Sequence, residues 1–234
     1  MPIKEFETEQ LGKIYVIKRK SSRHLRITIA PDGDIKVSIP NWVPYKNGLD
    51  FALAKSEWIN KSRISKRLIT EGQQIGRSHH IYFQQLNSIE TPKANTNQNQ
   101  IIIKFPTYIN FDDDEVQKVA RKAAIKALRK QAEILLPQRL ATISKSNLLP
   151  YNEVQIKQLK RRWGSCDQSK RIVLNLYLIQ LPWELIDYVL LHELSHTKHL
   201  NHGSQFWSLL ESMAPNAKDL RKTLNSYHPN LIEA

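Results

Sequence analysis

A single cysteine, Cys166, in 234 residues leaves no internal disulfide and no multi-cysteine metal ribbon. Long apolar runs are missing as well. No stretch approaches the roughly 20 apolar residues that a membrane span needs, although 41% of the chain is hydrophobic. No internal repeat is visible. The opening residues MPIKEFETEQ are polar and acidic, without the basic-then-apolar order of a secretory signal, so a cytoplasmic protein without a membrane segment is the expectation. The length suits one large domain or two small ones with an ample core.

Acidic residues are also scarce: 22 against 35 lysines and arginines, for a net charge of +13. Basic clusters fall at Lys18-Arg19-Lys20, Lys55 to Arg67, Lys118 to Lys130 and Lys157 to Arg162. Such a surplus favours anionic partners, nucleic acids or nucleotides among them, and equally describes a generally solvated surface. Charge alone does not name a substrate.

Alternating or β-branched segments predict strands at Ile14–Ile17, Leu25–Ile29 and Ile35–Ile39, with Pro31-Asp32-Gly33-Asp34 as a hairpin turn. A helix is expected near Lys46 to Leu68, burying Phe51, Leu53, Ala54, Trp58, Ile59 and Ile64. Strands around Ile81–Phe83 and Ile101–Ile103 flank a polar stretch, Asn87 to Asn99, that reads as the least ordered part. From Asp112 the character turns helical to about Ser144, with Pro137 a point of disturbance. Strands follow at Val154–Lys160 and Ile172–Tyr177, joined by a turn through Arg162-Trp163-Gly164-Ser165-Cys166. A helix begins near Pro182, and another carries Phe206, Leu209, Leu210 and Met213 on its apolar face. The class is therefore α+β: a β-rich N-terminal region with one helix, 1–110, and a mainly helical region, 111–234.

The densest chemical information lies in Leu190-Leu191-His192-Glu193-Leu194-Ser195-His196-Thr197-Lys198-His199-Leu200-Asn201-His202-Gly203. Here is H-E-x-x-H, with a further histidine six residues on. With 8 histidines in the chain, chance gives about 0.015 occurrences of the motif, and about 0.0005 with the third histidine at a fixed offset. On a helix His192 and His196 share one face and can share one metal ion, with Glu193 beside them to act on a water as base. This is the pattern of a zinc (Zn2+) hydrolase. The third ligand is open among His202, Glu211 and His199. His202 is preferred, because Asn201 and Gly203 suit a chain turning back after the helix. His199 would sit about 10 Å from His192 along one axis, from the 1.5 Å rise, and three ligands in line surround an ion poorly.

The ordered set Lys160, Arg162-Trp163-Gly164-Ser165-Cys166, Ile172, Leu174-Asn175, Tyr188-Val189, His192-Glu193-Leu194, His196, Asn201-His202 and Phe206-Trp207 resembles the YgjP-like metal-dependent hydrolases. These are related to the SprT and WLM groups of zincin metallopeptidases. The likeness extends N-terminally to Asp32-Gly33 and to Lys55 with Trp58-Ile59. It implies His192, His196 and His202 as metal ligands, Glu193 as catalytic base, a zincin-like core in 111–234, and a strand beside the active-site helix that holds an extended peptide by edge pairing.

In the turn at Arg162–Cys166, Gly164 permits a tight bend and Trp163 anchors it, with Ser165 and Cys166 at the tip. Arg162 and Ser165 are candidates to meet substrate, with Asn175 as an orienting hydrogen-bonder; a packed hairpin that supports the helix is the plainer reading. Cys166 is a weaker candidate for a latent ligand. Arg162, Tyr227 and His228 are candidate oxyanion donors. Met213-Ala214-Pro215 is better explained by core packing than as a methionine turn. Three functions compete. The first is a metallopeptidase acting on peptides. The second is a metal-dependent nucleoside triphosphate pyrophosphatase with a basic pocket at Lys160, Arg161 and Arg162. The third is a basic nucleic-acid-associated protein with a vestigial metal site.

Overall fold

A computed structural model describes residues 2–29, 34–64 and 68–230, with side chains described for all of these except 61–64. The chain forms two compact units, Met1–Leu68 and Ile69–Ala234.

In the first unit β1 (Ile3–Thr8), β2 (Gly12–Arg19), β3 (Arg26–Ile29) and β4 (Ile35–Pro40) form a sheet in the order β1-β2-β4-β3. β2 and β4 run parallel, and the other neighbours antiparallel. The three expected strands are present. β1 is additional: its residues are exposed or half-buried, so no apolar alternation marks it in the sequence. The hairpin turn expected at Pro31-Asp32-Gly33 lies outside the described residues, but its flanking strands β3 and β4 do pair antiparallel.

The single helix expected over Lys46 to Leu68 is two: α1 (Tyr45–Leu53) and α2 (Ser56–Ile64). No glycine or proline marks the break. Packing explains it, since α1 lies on β2 and β4 while α2 turns to meet β3. Ala52 and Ile59 are fully buried in this unit's core, while Trp58 is 52% exposed rather than inward-facing, and Ala54 is exposed too. Ile64 lies among the residues whose side chains are not described.

The second unit opens with β5 (Gln74–Ile75), β6 (His79–Leu86), β7 (Lys93–Thr96) and β8 (Gln100–Pro106), in the order β5-β6-β8-β7. β7 lies inside the polar stretch expected to lack order. It pairs antiparallel with β8 and all four of its residues are exposed, so its composition follows its solvent position. The helix α3 (Asp114–Ser146) passes through Pro137 without interruption and covers this sheet with Ala120, Ala124, Leu128 and Leu136. The buried Gln117 amide ties α3 to the start of the unit, accepting from the Ile69 N–H at 2.8 Å and donating to the Ile69 carbonyl at 3.0 Å. The change of residue character near 110 therefore falls between β8 and α3, inside one core. The compact units part at Leu68/Ile69 instead, because β5–β8 bury their apolar face on α3.

A second sheet in this unit joins β9 (Glu153–Lys157), β10 (Gly164–Cys166) and β11 (Arg171–Asn175) in the order β10-β11-β9, with β11 parallel to β9 and antiparallel to β10. A 3-10 helix, Leu176–Gln180, leads to α4 (Trp183–Ser195), α5 (Ser204–Met213) and α6 (Ala217–Leu224). α4 begins after Pro182 as expected, and Phe206 and Leu210 of α5 are fully buried. Both sheets and these helices share one apolar cluster, so the architecture is mixed α+β. No described helix is long and apolar enough to cross a membrane.

Candidate metal centre

α4 is buried over most of its length, which puts its polar face in an apolar setting. His192 projects from its last turn and His196 follows at its C-cap, one turn on. The chain then reverses, and His202 returns from the loop before α5. His192, His196 and His202 each offer a ring nitrogen, and these atoms all lie within 4.8 Å of one another. The Nε2 atoms of His192 and His202 are 3.0 Å apart. Tetrahedral coordination at about 2.0–2.1 Å places ligand nitrogens roughly 3.3 Å apart. The His196 Nδ1–H faces the His199 carbonyl at 3.0 Å, which leaves His196 Nε2 as a lone-pair donor.

His199 therefore enters through its backbone carbonyl and not its ring. Glu211 pairs with Lys218 at 3.1 Å. Neither joins the cluster. The loop does not use the left-handed geometry expected of Asn201 and Gly203. Gly203 is extended (φ −76°, ψ −176°) and caps α5, with its N–H donating to the Asn201 carbonyl at 2.8 Å.

Two side chains named in the sequence without this role hold the arrangement. Phe206, fully buried, lies with its ring centroid 4.9, 4.6 and 4.6 Å from those of His192, His196 and His202. It is a common wall for all three imidazoles. Trp207 beside it donates its indole N–H to the His202 carbonyl at 3.1 Å, fixing the returning loop. The pair Phe206-Trp207 was visible as part of the family pattern, but helical periodicity alone marks Phe206 as ordinary core.

Glu193 is only 5% exposed, and its Oε2 is buried without a hydrogen-bond partner. Its neighbour is Gly164 of β10. A Cβ at that position would stand 2.7–2.9 Å from the Glu193 carboxyl group. Gly164 is thus required for close approach and not for a bend. Residues 164–166 are strand, and the turn lies beyond them at 167–170. Ser165 and Cys166 are accordingly not at a tip. Alternation along β10 puts Gly164 and Cys166 on one face and turns the half-buried Ser165 to the other. The Cys166 thiol donates to the Asp167 carbonyl at 3.6 Å and burial, with the Glu193 charge adding to it, pushes it up to about 11.

Asn175 faces the chain itself. Fully buried, its amide donates to the carbonyls of Leu159 and Arg162 at 2.8 and 2.9 Å and accepts from the Tyr177 N–H at 3.2 Å. It clasps the 159–162 loop beside β10, so its polar atoms are not turned outward. Arg162 is exposed, and its charge opposes the upward push on Glu193. Tyr227, a candidate oxyanion donor, packs against the apolar core.

Burial acts on acid and base in opposite senses. It raises Glu193 to about 8, against the ordinary 4.5. It lowers His192 to about 3, with the neighbouring His196, His202 and Arg221 adding to the effect, and lowers His196 also. Both shifts favour the neutral, ligating form of His192 and His196. The donor set thus fits a divalent cation: three imidazole nitrogens converge on one point, beside a buried acid with an unsatisfied oxygen.

Two outcomes test this geometry. Phe206→Ala should destabilise the fold by about 3–5 kcal/mol and weaken metal binding about 10–100-fold, read by thermal unfolding and metal titration; undiminished affinity would show that the wall does not hold the rings. The second concerns the metal-free protein. Glu193 binds its proton more tightly when folded, so its contribution is full below pH 4.5 and is lost as pH rises toward 8. His192 does the reverse, contributing above 6.5 and losing this as pH falls toward 3. Between 4.5 and 6.5 the two offset each other. From 6.5 to 8 Glu193 dominates, and chelated protein should lose up to about 1.4 kcal/mol per pH unit. Glu193→Gln should flatten that decline, and identical profiles for the two proteins would refute the assignment.

A sequence model of the YgjP-like metallopeptidase domain matches residues 23–227. Comparison with curated proteins gives no match. Among solved structures, the metallopeptidase zymogen abylysin of Pyrococcus abyssi aligns at 24% identity over 42% of this chain and 100% of that one, with a TM-score of 0.37. The zymogen jannalysin of Methanocaldococcus jannaschii aligns at 24% identity over 39% of this chain and 94% of that one, with a TM-score of 0.35. These two likenesses are too partial to bear on the fold. The family match takes in most of the chain, and on it the protein belongs to the YgjP-like family and is a hydrolase with a metallopeptidase domain.

Proposed function

We propose that this protein is a zinc-dependent peptidase in which His192, His196 and His202 hold the ion and Glu193 is the catalytic base. The observation that carries the reading is the convergence of three imidazoles next to a buried carboxyl group with one oxygen unpartnered. Three imidazole ligands with an open position are the usual donor set of catalytic zinc, whereas structural zinc is normally closed by four protein ligands. When bound, such an ion acts as a Lewis acid toward the carbonyl oxygen and makes water acidic near neutral pH.

The chain's own residues supply the rest. Glu193 accepts the proton of the attacking water and passes it to the amine nitrogen as the C–N bond breaks, so no net proton is consumed at the carboxyl group. Gly164 keeps the carboxyl group in its place on the α4 side of β10. β10 is an edge strand, with β11 on one side and no described strand on the other. An extended peptide can add to that edge by main-chain hydrogen bonds. Arg162, exposed on the loop that Asn175 clasps, is positioned to stabilise negative charge near Glu193. No observation favours the nucleotide or nucleic-acid readings over this one. We assign the protein to a reducing, cytoplasmic setting on the ground of its single, free cysteine.

Zinc content and peptide hydrolysis test the reading together. Glu193→Gln should keep the metal and lose at least about 100-fold in kcat. His202→Ala should lose metal, whereas His199→Ala should keep it, because His199 contributes only its carbonyl. Gly164→Ala should retain zinc and lose hydrolysis, since the added methyl displaces the carboxyl group and not the histidines. Full activity in Glu193→Gln, or zinc loss in His199→Ala but not in His202→Ala, would overturn these roles.

A further inference from the structure

α6 buries Ala217 and Leu220 against the apolar core and leaves Arg221 exposed on its outer side. The Arg221 guanidinium carbon lies 5.0 Å from the centroid of the Trp207 ring. That ring is 6.0 Å from the His202 ring and 6.5 Å from the His192 ring. Its indole is itself fixed by the bond to the His202 carbonyl. The guanidinium is therefore held at the rim of the histidine cluster by a stacked aromatic, a contact that orients its fork without occupying its donors.

Other cations of this unit are engaged differently. Arg139 grips Asp187 with two donors, Arg171 pairs with Asp167, and Lys218, on the same helix as Arg221, pairs with Glu211. No carboxylate pairs with Arg221 among the described residues. Glu211 pairs with Lys218, and Glu184 accepts from the Asn216 amide. A fixed, unpaired guanidinium beside a hydrolytic centre is suited to a planar carboxylate, which it can grip with two parallel hydrogen bonds.

We propose that Arg221, seated on Trp207, is a substrate-positioning residue that receives a carboxylate of the peptide, so that the enzyme selects peptides bearing a carboxylate close to the scissile bond. This inference rests on the peptidase reading for the bond that is cleaved, and on Arg221 alone for the selectivity. The carboxylate has two sources, an acidic side chain or a free C-terminus.

The test measures binding before cleavage. Zinc-loaded Glu193→Gln protein is titrated with two matched peptide pairs, followed by tryptophan fluorescence. One pair is C-terminally amidated and differs by Glu against Gln; the other differs only by a free against an amidated C-terminus. Binding tighter by about ten-fold or more is expected for the carboxylate member of one pair, as for a charge-assisted pair of hydrogen bonds. The pair that responds identifies the source. Adding Arg221→Gln should bring the ratio near one, Arg221→Lys should restore part of it, and Arg221→Glu should invert it toward peptides with lysine. In the active protein, the same substitutions should raise KM for carboxylate peptides more than they lower kcat. A ratio near one before Arg221 is changed, or one that survives Arg221→Gln, overturns the proposal. If no peptide is hydrolysed but the ratio depends on Arg221, the peptidase reading fails and the carboxylate site stands. If peptides are hydrolysed and the ratio is indifferent to Arg221, the carboxylate site fails and the peptidase reading stands.

Discussion

The Glu193 carboxyl group, buried in an apolar setting with one oxygen unpartnered, is the constraint on which the candidate site depends. Selection for stability alone does not place it there, because burying an acid without a partner is unfavourable whether it ionises or not. The surroundings are arranged to keep it in place. Gly164 leaves the volume for it, and β10 is held at that distance by antiparallel pairing with β11. β11 is in turn fixed by its parallel register with β9, and Asn175 ties its end to the loop that precedes β10. A defect in any of these moves the wall against which the carboxyl group rests.

The same burial prepares the histidines. An apolar setting disfavours charge of either sign, so the carboxyl group is pushed toward its neutral form and the His192 and His196 imidazoles toward theirs. Neutral imidazoles are what a cation binds, and a nearby cation in turn favours the ionised carboxylate. One environment therefore leaves the metal-free site electrostatically incomplete, and a divalent ion relieves both halves at once. Binding of that kind is linked to folding stability, because the unfolded chain has neither the burial nor the convergence.

What was legible in the sequence follows from the kind of physics involved. The spacing of His192 and His196, the start of α4 at Pro182 and the return of His202 are consequences of helical period and chain reversal, which are local. The α+β class and most strands follow from alternation. What escaped depends on neighbours distant in the chain. Gly164 reads as a bend from its own residue type, yet its use is set by Glu193, in another element. Asn175 reads as a ligand for substrate, yet its partners are the backbone of 159–162. The break between α1 and α2 carries no local signal, because contacts with different strands of one sheet impose it. β7 is polar throughout, since pairing with β8 satisfies its backbone while water covers its side chains.

Charge illustrates the limit of composition more sharply. A surplus of +13 invites a polyanion, but several of these cations are occupied with the protein's own groups. Lys18 donates to the Asn41 carbonyl at 2.9 Å and lies over the Tyr45 ring. Arg77 donates to the Leu181 carbonyl and stacks on Trp183, which Arg139 also approaches while holding Asp187. In these places the guanidinium or ammonium completes local structure, and its charge is incidental to any partner. A cation becomes informative about function only where its donors are oriented and left over. Fixation by an aromatic ring, with neither a carboxylate nor a backbone carbonyl taking up the donors, is therefore a more specific mark of a binding role than any local density of lysine and arginine.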